Sequence, residues 1–219
     1  MSSASPPTDP FASVRWDLVP GRTALLLIDY QNDFLHQDGW YARSGIDISH
    51  MQRVIEPTRR LVEAARGEDV PVIWTRHGSR DERDAGTFLQ LRPFLREGGL
   101  RQGTWGYDIY DSLTPADDDW FVEKTRLSAF FNTNLEVILR GLGTETLLVA
   151  GVLTNQCIAA TSKDASFRDF KPIVVAECTG TTLPHLHEPA LEMVSVGWGE
   201  VRSVDEALAE LATLRAGAA

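Results

Sequence analysis

Three residues far apart in the chain carry its most reactive chemistry: Asp29, Lys124 and Cys157. A thiol that attacks a carbonyl carbon needs a base to take its proton, a cation to steady the charges and donors for the oxyanion. Asp29 can be that base, and later the acid that protonates a leaving nitrogen. Lys124 can stabilise both carboxylate and thiolate. Cys157 closes the run Thr146-Leu-Leu-Val-Ala-Gly151-Val-Leu153-Thr-Asn155-Gln-Cys157, in which an apolar stretch breaks at Gly151 and turns through Thr154 and Asn155, both helix N-cap types. The spacing predicts a helix over 157–167. A thiol in its first turn would face the positive end of the helix dipole, which favours the thiolate. Free N–H groups of the turn, from Leu153 or Thr154 and from Cys157, can form an oxyanion hole. Taken singly, each residue has a plainer reading. Most free cysteines are small buried hydrophobes, an Asp after a strand is commonly a turn residue, and a Lys there is commonly a solvated edge charge.

The elements that must position these groups follow from the apolar pattern. Continuous apolar runs at 23–28, 70–75, 120–123, 145–152 and 172–176 have the look of buried parallel strands, with a short one at 200–202. Helical spacing fills 48–66, where Pro57 either kinks the helix or starts its main part, and 133–142, 157–167, 188–196 and 204–214, the last behind the cap candidate Ser203. A short helix is expected near 87–91, inside a long loop over 76–106. Strands alternating with helices predict a three-layer α/β/α sandwich around a mainly parallel, Rossmann-like sheet. In such sheets ligands bind beyond the carboxyl ends of the strands, where Asp29, Lys124 and Cys157 all fall. The expected organisation is a flexible N-terminal arm over 1–20, one domain over 21–214 and a tail over 215–219. Phe11, Val14, Trp16 and Leu18 in the arm are apolar enough to pack, a neighbouring subunit being one place for them.

Composition narrows the class. The 219 residues are 43% hydrophobic and 24% charged, ordinary for a globular domain, and the net charge is −10. A surface this acidic repels phosphate backbones and argues against nucleic acid as a partner. Two cysteines are too few for a disulfide framework and point to a reducing compartment. The Ser/Pro-rich start lacks the basic and apolar regions of a signal peptide, and no apolar run reaches the length of a membrane span. The expectation is a cytoplasmic protein with no membrane partner.

Three motifs, in order, resemble the isochorismatase-like cysteine hydrolases: Leu-Leu-Ile-Asp29-Tyr-Gln-Asn-Asp-Phe34, then Glu123-Lys124-Thr-Arg126-Leu-Ser128-Ala-Phe130-Phe131-Asn-Thr133, then Gly151-Val-Leu-Thr-Asn-Gln-Cys157. The resemblance spans nearly the whole chain. It implies a catalytic triad of Asp29, Lys124 and Cys157, and a non-proline cis peptide at Val152–Leu153 that aims an N–H at the substrate. Within the superfamily, the segment 128–133 and the aromatic stretch Gly103-Thr-Trp105-Gly-Tyr107 look like the N-carbamoylsarcosine and ureidoacrylate amidohydrolase branch. That implies cleavage of a C–N bond in a small carbamoyl, ureido or amide substrate through a thioester, with release of ammonia, in a homo-oligomer (dimer or tetramer). Vinyl ether hydrolysis of the isochorismatase type and a nicotinamidase-like amidase are the alternatives.

The nicotinamidase branch carries an Asp-x-His metal site after its second strand. Here that position reads Trp74-Thr-Arg76-His77-Gly, without the Asp, so no catalytic metal and no cofactor are expected. His77 is left either to touch substrate or to sit in a polar loop. Arg76 or Arg126 could hold a substrate carboxylate by a bidentate contact, Arg126 being favoured by its place two residues after Lys124. Phe34, Trp105, Tyr107, Phe131 and Asn155 complete the candidate pocket residues. His185-x-His187 has metal-site spacing but no third ligand, and Cys178 has no matched base.

Overall fold

The computed structural model describes residues 14–214. Phe11 and the tail over 215–219 lie outside the described residues. Six strands form one sheet, all neighbours parallel, in the order β3-β2-β1-β4-β5-β6. They are β1 (Thr23–Ile28), β2 (Val72–His77), β3 (Trp120–Lys124), β4 (Thr146–Val152), β5 (Lys171–Gly180) and β6 (Glu200–Arg202). The longer helices are α1 (Ile55–Gly67), α2 (Leu135–Gly141), α3 (Ala159–Ser166), α4 (His187–Gly197) and α5 (Val204–Leu211).

The central strands are buried along their whole length. Side chains alternate between faces along a strand, and that alternation builds two cores. Leu25, Leu27, Trp74, Leu148 and Ala150 face Leu61 of α1 and Leu211 of α5. Leu26, Ile28, Ile73 and Val149 face Leu139 of α2, Ala165 of α3 and Leu191 of α4. The result is the expected three-layer α/β/α sandwich. Strand order reverses between β1 and β4, the switch point at which such sheets open a crevice.

Several boundaries differ from the sequence expectation. The helix expected over 48–66 is two pieces, Ser49–Gln52 and α1, with Pro57 in the first turn of α1, where a missing N–H costs no helical bond. Strand β2 runs two residues past Thr75, so His77 belongs to the sheet and pairs in register with Lys124. The strand expected over 172–176 continues to Gly180, after a register shift opposite Val149 to Gly151. The helix expected from Cys157 begins at Ala159; Thr154–Ile158, holding Cys157, is a wider π-helical turn. Ser203 caps α5 as expected, in a reciprocal capping box with Glu206.

The described end of the expected flexible arm is fastened to its own chain. Trp16 N donates to Glu200 Oε2 at 2.8 Å, Leu18 N to Glu210 Oε1 at 2.6 Å, and Arg202 donates to Trp16 O at 2.6 Å. Trp16 and Leu18 pack on the core of this chain, while Val14 is exposed.

Candidate active site

Asp29 is the first residue after β1. Its φ of +59° lies in the left-handed region, which Asp tolerates better than most residues. Thr75, opposite Ile28 in β2, steadies it twice: its hydroxyl donates to Asp29 Oδ1 at 2.6 Å and accepts from Asp29 N at 3.2 Å. The second carboxylate oxygen, Oδ2, lies 2.7 Å from Lys124 Nζ. The contact is a buried, charge-assisted ion pair, and the Cys157 thiol lies against the same carboxylate.

Lys124 ends β3, two strands away, and reaches across β2 to the switch point. Nζ donates to the carbonyls of Arg126 and Leu127 at 3.1 Å each and to Cys157 Sγ at 3.3 Å. Asp29, Lys124 and Cys157 are 0, 1 and 3% exposed. The strand end that brings Cys157 in depends on Gly151, whose φ is +136° and on which a Cβ would stand 2.1 Å from Ile28 O. Only glycine lets β4 approach β1 this closely at the reactive end. The Val152–Leu153 peptide is cis.

The protonation pattern differs from the expected thiolate. Burial is the main cause that pushes the Cys157 thiol up to about 12; the nearby Asp29 adds to the rise and Lys124 opposes it. The dipole argument fails because Cys157 precedes the α-helix proper and sits in a desolvated turn. Burial alone would lower Lys124, but Asp29 and Cys157 hold it above its ordinary value. The resting centre is therefore an Asp–Lys ion pair beside a neutral thiol.

His77 completes the ring of groups. It is 3% exposed, with Nδ1 3.9 Å from Cys157 Sγ and 4.0 Å from Asp29 Oδ2. Burial, then the charges of Lys124 and Arg126, hold its pKa well below the usual histidine value, so the ring is neutral. Its other side meets the Thr125 main chain and the Phe88 ring, the latter at 4.9 Å. The side chain of Gln31 clamps the His77 peptide: Oε1 accepts from His77 N at 2.7 Å, and Nε2 donates to His77 O at 3.1 Å and to Tyr107 O at 3.0 Å.

Sequence reasoning missed Thr75 and the work of Gln31, Asn32 and Asp33. Asn32 donates to Trp105 O, and Asp33 accepts from Trp40 N at 2.9 Å and Leu100 N at 2.6 Å. Gly106 passes so near that a Cβ there would lie 2.1 Å from Asp33 Oδ1. These side chains tie the long loop to the end of β1. The available signal was their type: amides and a carboxylate beside loops whose main chain needs partners.

The other candidates divide. Phe34 is 2% exposed and packs on Tyr41. Tyr107 is buried beneath Arg76, and Trp105 is half-exposed against His36. Arg76 is taken up by Glu123 and stacks on Phe121. Asn155 accepts from the Thr181 hydroxyl at 2.7 Å. Arg126 donates to the carbonyls of Asp84 and Thr125 and has no carboxylate partner among the described residues. It lines a cavity of about 370 Å³ with Phe88, Leu91, Leu127 and Phe131. His187 pairs with Thr154 and with the ring of His50 rather than with His185. Cys178 lies inside β5, fully buried.

Asp29, His77 and Cys157 offer ligand atoms within 4.8 Å of one another, a donor set that suits a borderline-soft cation. The Lys124 ammonium already brings positive charge against two of the three, and a metal ion would have to share that space with it.

Residues 23–206 match the family model described as Isochorismatase domain. The chain is 34% identical over 197 residues to the ureidoacrylate amidohydrolase RutB of Methylorubrum extorquens, covering 83% of this chain and 79% of that protein. To the protein of the same name from Serratia proteamaculans it is 32% identical over 201 residues, covering 85% and 81%. The solved structure of a cysteine hydrolase from Pseudomonas syringae pv. phaseolicola superposes with a TM-score of 0.85 at 27% identity, over 92% of this chain and 98% of that one. An N-carbamoylsarcosine amidase from Thermoplasma acidophilum, with a TM-score of 0.69 over 84% and 97% at 23% identity, shares the fold.

Proposed function

Because the chain belongs to the isochorismatase family, we propose that it is a cysteine amidohydrolase that cleaves a C–N bond of a small ureido or carbamoyl acid. The observation that carries this reading is the convergence of Asp29, Lys124 and Cys157 at the strand switch point, with Nζ 2.7 Å from the carboxylate and 3.3 Å from the sulfur. The ureidoacrylate amidohydrolase relatives support the ureido class.

Asp29 takes the thiol proton as Sγ attacks the carbonyl carbon, so no standing thiolate is required. Lys124 steadies the charge that moves from carboxylate to sulfur. The main-chain N–H groups of Leu153 and Cys157 hold the oxyanion. As the tetrahedral intermediate collapses, the C–N bond breaks and Asp29 returns its proton to the leaving nitrogen. Water then attacks the acyl carbon, the C–S bond breaks, and the sulfur recovers a proton. Arg126 supports an anionic substrate: its guanidinium is anchored on main-chain carbonyls and lacks a carboxylate partner among the described residues, beside a cavity lined by Phe88, Leu91, Leu127 and Phe131 and by the polar Thr87, Ser128 and Asp164.

An ammonia-release screen over ureidoacrylate, carbamoyl amino acids, biuret, nicotinamide and simple amides tests the reading. Turnover of a ureido or carbamoyl acid is expected, with loss of at least about 10³-fold in Cys157→Ala. Equal turnover in that variant would overturn it. Arg126→Gln should raise KM for the acid about tenfold or more while sparing the corresponding neutral amide.

A further inference from the structure

The Cys157 adduct, a thioester from an amide or a thiocarbamate from a ureido group, must be hydrolysed as well as formed, and the second half-reaction needs a water held in line with the acyl carbon. Asp29 Oδ2 is one acceptor for such a water. It is buried and held by Lys124 in an ion pair at 2.7 Å, and a carboxylate oxygen with one such partner still has a lone pair for a water. The other acceptor in reach is His77 Nδ1, 4.0 Å from Oδ2 and 3.9 Å from the sulfur that carries the acyl group. Two acceptors bridged by a single water, with hydrogen bonds of about 2.8 Å, stand roughly 4–4.5 Å apart. The spacing of Oδ2 and Nδ1 fits.

Position and tautomer support the same role. His77 cannot drift, because Gln31 holds its peptide on both sides and the parallel register sets it beside Lys124. Nδ1 faces the thiol and the carboxylate, and in the tautomer that carries its proton on Nε2 it is an acceptor. A neutral ring of this kind can receive a hydrogen bond from water without adding charge beside the Lys124 ammonium.

Resting on the amidohydrolase reading above, we propose that His77 is a further catalytic residue: its Nδ1 accepts one hydrogen bond from the deacylating water while Asp29 removes that water's other proton. The remaining O–H attacks the acyl carbon, a C–O bond forms, and the C–S bond breaks. The proton on Asp29 passes to the departing sulfur and restores the thiol. His77 ends the cycle neutral, as it began, and no further reactant is needed.

Rapid quench with ureidoacrylate, read by intact mass and by ammonia or amine release, separates the two half-reactions. In His77→Phe, which keeps a ring against Phe88, the first turnover should stay within about threefold of wild type. Steady-state turnover should fall at least about tenfold, and the Cys157 adduct should accumulate. His77→Asn, which returns an acceptor near the Nδ1 position, should recover part of the steady-state rate. Added hydroxylamine, a nucleophile that reacts without general-base help, should speed adduct loss more in His77→Phe than in wild type. A first turnover slowed as much as the steady state in both variants, with no adduct, would overturn the role of His77 while leaving the amidohydrolase reading in place. Absence of both adduct and product in wild-type protein across the ureido and carbamoyl panel would overturn both.

Discussion

Two buried ion pairs draw their cations from opposite edge strands of the same sheet, one pair closing at the edge and the other at the central switch point, and they are finished differently. Arg202 on edge strand β6 spends its guanidinium fully: Nε on Glu200 at 2.8 Å, another nitrogen on Glu210 at 2.7 Å and the third on Trp16 O at 2.6 Å. Glu200 in turn accepts from Trp16 N. Lys124 on edge strand β3 faces Asp29, whose Oδ2 meets the ammonium at 2.7 Å and keeps a lone pair open, and the Cys157 thiol stands beside them. A charge pair with every donor and acceptor matched holds chain segments together. A pair with an oxygen in reserve can move a proton. The burial is the same; what differs is whether the hydrogen bonding is closed.

That contrast can be broken most directly at Lys124. Lys124→Met should cost at least about 10²-fold in ammonia release, and should also destabilise the fold by about 3–5 kcal/mol, because Asp29 is left buried without its counter-charge. The double variant Asp29→Asn with Lys124→Met should regain much of that stability and none of the activity, measured by urea unfolding and the ammonia assay. Arg202→Met should destabilise by a similar 3–5 kcal/mol, yet leave kcat of the folded fraction within about twofold. A large kcat loss there would erase the distinction between the two pairs.

Proton linkage gives a smaller, graded test. The two buried thiols, Cys157 and Cys178, are each pushed up to about 12, mainly by burial. The unfolded chain releases those protons near 9.0 and the folded chain holds them, so stability is full below pH 9 and is lost as pH rises toward 12. On the acid side His77, His50 and His187 are all depressed, chiefly by burial. Their contribution is full above 6.5 and lost as pH falls from there through their folded values. Thermal melts across pH 4–11 should show both limbs; a flat alkaline limb would contradict the buried thiols. The smallest expected change is Glu210→Gln, about 1 kcal/mol or less, since that side chain is 23% exposed and solvent screens its pairing.

The sequence exposed the architecture because parallel strands buried on both faces read as unbroken apolar runs, as in Thr23–Ile28 and Thr146–Val152. Two of the reactive trio are legible for the same reason, Asp29 following directly on such a run and Lys124 closing one, while Cys157 stands in the turn that follows β4. What stayed hidden was set by tertiary contact. Strand β2 continues to His77 because Lys124 pairs with it in register, a fact of β3 rather than of residues 70–77. The π-helical turn at Cys157 has no periodic signature of its own. The ionisation of Cys157 departs from the dipole expectation because a local dipole argument does not register desolvation by Leu26, Ile28 and their neighbours in the core cluster. Prolines suggest a flexible arm, and at its described end the acceptors that fasten Trp16 and Leu18 lie some 190 residues away.

The burial of Cys157 has a consequence for durability. Peroxide attacks the thiolate and not the thiol, and a sulfur that is 3% exposed and protonated at neutral pH gives an oxidant little to react with. The sulfur is kept as the thiol and shut away from solvent, so in the resting chain this cysteine is shielded on both counts that govern oxidation, ionisation and access.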